Sequence, residues 1–230
     1  MNTARIALAA GCVVLGLLVG VAVHLSRDHV LTQHWVKVPA GESSAPNPAD
    51  FAAPIPGGAL PPPKIPDRLP QFSLADRSGK PTSIESFSDK SLIINFWATW
   101  CAPCRSEIPL LQSLHTEWAG RGVSVVGIAV DQRDKVLEFA DRFKIGYPLL
   151  IGEQDALDAA AALGVATPVF PFTVFTDRRG EVVALYIGEL HKPQAELILS
   201  QVQSLNQGRT ELPAARAAIT AALSALHSST

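Results

Sequence analysis

Two cysteines three residues apart, set where a short apolar run gives way to a helical repeat, constrain this chain more than any other feature. The run is Ser91-Leu-Ile-Ile-Asn-Phe-Trp-Ala98, β-branched and aromatic, too short for a helix and too apolar for a loop. After Trp100 the period changes. Ile108, Leu111, Leu114, His115 and Trp118 recur at steps of three and four, which is the period of a helix. Cys101 therefore falls at the helix start and Cys104 one turn inside, on the same face. That spacing suits the separation of about 5.5 Å between disulfide-linked Cα atoms. Pro103 is tolerated because first-turn amides have no helical partner, whereas Pro109 lies deeper and must remove one backbone bond.

This placement carries chemistry. Amide dipoles converging at a helix N-terminus favour negative charge, so they stabilise a Cys101 thiolate and lower its pKa. A thiolate attacks a foreign disulfide, forms a mixed disulfide, and is released when a second thiol attacks in turn. Cys104, further in, takes the resolving role. Other uses of one Cys-x-x-Cys fit less well. A zinc site lacks a second pair, and haem attachment requires His where this chain has Arg105. A reduced pair holding Cu(I) through soft sulfur, a thiol peroxidase and a purely structural disulfide remain alternatives.

The rest of the chain is read around that unit. Ile6 to Leu25 is 20 residues long without a charged side chain, enough to cross a bilayer as a helix. Its flank, Ala22-Val-His-Leu-Ser-Arg27, offers no good cleavage site, so a retained anchor is expected rather than a signal peptide. Cys12 lies inside that stretch as a small hydrophobe. Lys and Arg do not fix its orientation, with Arg5 on one side and Arg27 and Lys37 on the other. Pro39 to Pro66 holds nine of the 18 prolines and reads as an extended tether that cannot pack a core. The domain plan is an end at 1–5, an anchor at 6–25, a linker at 26–68, one globular domain at 69–207 and an Ala-rich tail at 208–230. A net charge of −2 with no basic run gives no footprint for nucleic acid.

Within the globular part, Gln71 to Leu74 alternates like a strand, Asp76 to Gly79 is a turn, and Thr82 to Phe87 is a strand end or helical turn. Val123 to Val130 is nearly all apolar, as a strand covered on both faces must be. Strand, helix, strand in this order implies a parallel pair with a right-handed crossover. Asp131 to Lys144 reads as a helix with Val136, Leu137, Ala140 and Phe143 inward. Tyr147 to Ile151 is a short strand and Ala156 to Leu163 a small helix. Phe172 to Thr176 and Val182 to Ile187, joined at Asp177-Arg-Arg-Gly180, form the clearest hairpin. Lys192 to Asn206 closes the domain with Ala195, Ile198, Leu199, Val202 and Leu205 inward. The stripe Leu212, Ile219, Leu223 and Leu226 suits a helix that docks weakly.

The segment Phe96-Trp-Ala-Thr-Trp-Cys-Ala-Pro-Cys-Arg-Ser-Glu-Ile-Pro109 resembles the active site of the thioredoxin superfamily, more narrowly the membrane-anchored TlpA/ResA/DsbE-like thiol-disulfide oxidoreductases. The similarity spans about residues 69–206. It implies an α/β thioredoxin-like fold, a central mixed sheet flanked by helices, with 131–164 as an αβα insertion. It further implies a single-pass inner-membrane protein, its catalytic domain in the periplasm, that needs no cofactor or metal. Its partners would be disulfide-bearing proteins, such as apocytochrome c or a copper-site assembly factor, and a transmembrane dithiol donor. The same resemblance places a cis-proline at Pro171, facing the cysteines, and a glutamate at Glu107 as the proton acceptor for Cys104. Thioredoxins proper carry an acid at the position of Asn95. Trp100, Ala102, Pro103 and Phe170 would form the substrate-docking face, Phe170 being bulkier than in many relatives. His115 and His191 read as surface or core residues rather than ligands.

Overall fold

The computed structural model describes residues 65–167 and 169–228. The expected anchor at 6–25, Cys12 and the Pro-rich stretch up to residue 64 lie outside the described residues. Among the described residues no helix is long and apolar enough to cross a membrane.

Seven strands make one sheet: β1 (Ser73–Asp76), β2 (Pro81–Ser83), β3 (Ser91–Trp97), β4 (Val123–Val130), β5 (Leu149–Gly152), β6 (Phe172–Thr176) and β7 (Val182–Ile187). Their order across the sheet is β2-β1-β5-β4-β3-β6-β7. β3, β4 and β5 pair in parallel, and every other pairing is antiparallel. The helices are α1 (Ala102–Ala119), α2 (Arg133–Arg142), α3 (Gln154–Ala162), α4 (Lys192–Asn206) and α5 (Leu212–Ser228), with a 3-10 turn at Ile84–Phe87.

The sheet is covered on both faces, which is why all seven residues of β3 are buried. Alternation sends Ile93 and Trp97 toward Ile108, Leu111 and Leu114 of α1 and Ile198 and Val202 of α4. Leu92, Ile94 and Phe96 point the other way, onto Ile84, Phe172 and the alanines of α3. Phe96 and Phe172 stack with ring centroids 4.4 Å apart. Each such side chain contributes about 1.5–3 kcal/mol by leaving water. Asn95 shares the α1 face with Ile93 and Trp97, so the polar residue in the middle of β3 lies beneath the helix that carries the cysteines.

Several expected boundaries move, among them the small helix, which runs Gln154–Ala162 rather than from Ala156 to Leu163. β1 begins at Ser73 and not Gln71, β5 at Leu149 and not Tyr147, and α2 is shorter than 131–144 at both ends. The cause at the start of α2 is Asp131, whose side chain accepts from Thr99 N, Thr99 Oγ1 and Gln132 N instead of entering a helix. At its end Lys144 turns into the left-handed region with φ 51°. Phe143 consequently sits at the C-cap, exposed, while Phe139 takes the inward place and stacks on it at 4.2 Å.

α5 packs through Ala215 and Ile219, with Leu212 and Leu223 against the same cluster. Arg216 fastens it. Its guanidinium donates to Val182 O, Pro66 O and Asp67 Oδ1. The chain entering the domain lies beside β7, where Val182 N donates to Asp67 O at 2.9 Å and Leu69 N to Gly180 O at 2.8 Å.

Gly127, opposite Asn95 on β4, lets large side chains close over the sheet. A Cβ there would stand 2.7 Å from Leu149 Cδ2, 2.9 Å from Tyr147 Cε2 and 3.2 Å from Trp97 Nε1. Gly127→Ala is therefore expected to lower stability by about 1–3 kcal/mol through overpacking. Urea unfolding checks this; a loss under about 0.5 kcal/mol would mean that Tyr147 and Leu149 move aside freely.

Candidate active site

β3 ends at Trp97, and Cys101 caps α1, with its own amide donating to Ala98 O at 3.2 Å. Cys101 Sγ accepts from the Cys104 amide at 3.2 Å, so a first-turn N–H points at the sulfur. Cys101 and Cys104 are joined in a disulfide, Sγ to Sγ 2.00 Å and Cα to Cα 5.3 Å. Both are enclosed. Cys101 is 4 % exposed and Cys104 1 %, so the outer sulfur is only marginally the more open one. Cys101 is thus buried even at the helix start, and the segment before β6 lies close by, against Trp100.

That segment carries Phe170 and Pro171, joined by a cis peptide bond. The Phe170 ring meets Trp100 edge-on at 6.0 Å between centroids and lies parallel to Phe172 at 6.3 Å. The turn holding Cys101 and the turn holding Pro171 thus touch through two aromatic rings. Trp100 remains 68 % exposed, and Val169 and Ile187 add further exposed apolar surface. Ala102 and Pro103 are exposed on the first turn of α1. Pro171 O accepts from Gly188 N at 2.8 Å, which ties this turn to the loop after β7.

Glu107 lies one turn beyond Cys104 and is buried, not solvated. Its Oε1 accepts from Asn95 Nδ2 at 2.7 Å and its Oε2 from Leu190 N at 3.0 Å. Asn95 Nδ2 also donates to Thr173 Oγ1 at 3.1 Å. Burial pushes the Glu107 carboxyl from its ordinary 4.5 up to about 7. The Leu190 and Asn95 donors pull it back, and nearby Glu189 adds to the rise. Glu107 in turn adds to the upward push that burial exerts on Tyr147 and Tyr186.

A carboxyl poised near neutrality one helical turn from a buried cysteine pair can take up a proton and return it. The fold therefore brings Cys101, Cys104, Glu107, Pro171, Trp100 and Phe170 to one end of the sheet. His115 is half-buried beside the Tyr147 ring, and His191 is exposed at the start of α4. Sequence reasoning missed Thr173, the Leu190 amide and Asp131. Thr173 carried a signal, being a polar residue inside a strand whose neighbours are aromatic and β-branched apolar; a backbone amide carries none.

The AhpC/TSA family matches residues 65–185 of the chain. The chain is 33 % identical over 133 residues to the thioredoxin-like protein YneN of Bacillus subtilis (strain 168), covering 56 % of this chain and 75 % of that protein. It is 30 % identical over 135 residues to the thiol-disulfide oxidoreductase ResA of Geobacillus kaustophilus (strain HTA426), covering 58 % and 75 %. Among solved structures, a thioredoxin family thiol:disulfide interchange protein from Chlorobium tepidum TLS is similar with a TM-score of 0.54 at 33 % identity. That match covers 60 % of this chain and 97 % of the other.

The raised Glu107 has a stability signature. Below pH 4.5 the group is protonated in both states and costs nothing. Between 4.5 and about 7 the unfolded chain ionises first, so stability falls with rising pH, by about 3 kcal/mol in all, and levels off above 7. Half-buried His115, whose pKa burial lowers, contributes a slope of opposite sign, so the test is a difference. Glu107→Gln should lack the fall that wild type shows across that window, measured by urea unfolding of the oxidised protein. Parallel curves for the two proteins would show that the carboxyl titrates normally.

Proposed function

Because the chain belongs to the AhpC/TSA family and is a thioredoxin-like thiol-disulfide oxidoreductase of the ResA type, we propose that it reduces protein disulfides from the periplasmic side of the inner membrane. The observation that carries the chemical part is the Cys101–Cys104 disulfide at the start of α1, with the Cys104 amide directed at Cys101 Sγ. The apolar stretch at 6–25 and the proline-rich tether after it support the membrane part.

In the reduced protein the amide that meets Cys101 Sγ stabilises a thiolate there. The thiolate attacks one sulfur of a substrate disulfide. A bond forms between Cys101 and that sulfur, the substrate bond breaks, and the other substrate sulfur leaves as a thiolate. Cys104 then gives its proton to Glu107 and attacks Cys101 Sγ. The Cys101–Cys104 bond forms, the second substrate thiol departs, and two electrons have passed to the substrate. A transmembrane dithiol carrier restores the reduced pair. The substrate lies against Pro171, between Trp100, Ala102 and Pro103 on one side and Phe170 on the other. That surface is apolar and suits apocytochrome c or a copper-site assembly factor, each presenting a cysteine pair on an open segment.

Cys104→Ala should accumulate mixed disulfides through Cys101, visible in cells as adducts that a reductant dissolves. No adducts in Cys104→Ala, or equal adducts in Cys101→Ala, would count heavily against these roles. Acid trapping followed by alkylation of the wild-type chain in growing cells should find the pair mostly reduced; a mostly oxidised pair would make the protein an oxidant.

A further inference from the structure

Glu107 is gripped from two sides by groups that have no water to turn to. Leu190 N holds Oε2, and Asn95 Nδ2 holds Oε1. The Asn95 amide has two hydrogens, and the contacts to Glu107 Oε1 at 2.7 Å and Thr173 Oγ1 at 3.1 Å use both. Asn95 and Thr173 are buried partners in register on β3 and β6. Turning the amide over would set its oxygen against the carboxylate oxygen, two acceptors at hydrogen-bond distance. Thr173 supplies the second acceptor that keeps the nitrogen facing up.

We propose that Asn95, braced by Thr173, is a positioning residue that orients the Glu107 carboxylate beneath Cys104 and sets the pH at which it takes up a proton. The inference rests on the reading of Glu107 as proton acceptor for Cys104. It differs from a plain core hydrogen bond in what it predicts, because a core bond contributes stability without tuning a neighbour's titration.

The surroundings leave that task to the donors. The titratable side chains that face Glu107 are Glu189 from the loop after β7, Tyr147 from the loop before β5 and Tyr186 of β7, besides the two thiols on its own helix. Glu189 opposes the ionised form and the tyrosines are neutral there, so the two hydrogen-bond donors are what favour the carboxylate. Removing one strengthens its hold on the proton.

The test follows the Glu107 carboxyl by carbon-13 NMR in the full reduced chain, assigned by its loss in Glu107→Gln. Release of a preformed mixed disulfide is timed over the same pH range. Asn95→Leu should move the Glu107 midpoint alkaline by about one pH unit, and Thr173→Val by less in the same direction. Asn95→Asp should split the titration into two steps, two carboxyls sharing one proton. Thr173→Val is nearly isosteric and keeps the question open to a decision should Asn95→Leu fail to fold. Midpoints within about 0.3 of wild type in folded variants overturn the proposal. If the carboxyl midpoint moves and the release profile does not, Asn95 does set the proton affinity, and the assignment of Glu107 as acceptor is what falls.

Discussion

A carboxyl group shut away from water must be solvated by the protein or stay neutral, and Glu107 sits at the balance point between those outcomes. Two donors from different elements, Asn95 of β3 and the Leu190 amide after β7, offset part of the cost of its burial, and burial still wins. Neither donor would arrive without the whole sheet. β3 must run centrally to place Asn95 under α1, and β6 and β7 must pair in register to bring Leu190 back across the helix. The polar set beneath the cysteines is thus a product of the fold's long-range pairings, while the helix start that carries the sulfurs is local. One half of the site is made by sequence neighbours and the other by residues up to 83 positions apart.

The same loop also reaches the turn at Pro171. Gly188 N bonds the carbonyl of Pro171, and Leu190 N bonds Glu107, so three residues connect the cis-proline turn with the buried carboxyl. Pro171 and Glu107 are thus held by one short segment, the first through a backbone pair and the second through a backbone amide on a side-chain oxygen. The aromatic touch between Trp100 and Phe170 stands at the outer end of this chain of contacts.

How much of this could be read from residues alone differs by element. The strand-to-helix switch at Trp100, the β6–β7 hairpin and α4 were plain, because each rests on periodicity and on punctuation such as Asp177-x-x-Gly180 that acts within a few residues. The inward face of α2 was less plain: Phe139 and Phe143 are four apart, and which of them packs depends on where the helix stops. Asp131 looked like a helix start and instead anchors Thr99, 32 residues away, a tie with no local signal. The contact between Trp100 and Phe170 was hidden for a similar cause, since Phe170 returns from a distant turn. Asn95 was visible as an amide where thioredoxins carry an acid, and the sequence did not reveal that it would serve as a donor to Glu107.

The guanidinium of Arg216 has a consequence beyond fastening the last helix. β7 is an outer strand of the sheet, and its outward-facing groups would invite another chain to add itself alongside. At Val182 that invitation is closed, because the amide is taken by Asp67 O and the carbonyl by Arg216. The segments entering and leaving the domain, brought together by one side chain, shield this part of the rim from edge-to-edge aggregation, so trimming the final helix would bare a sticky border.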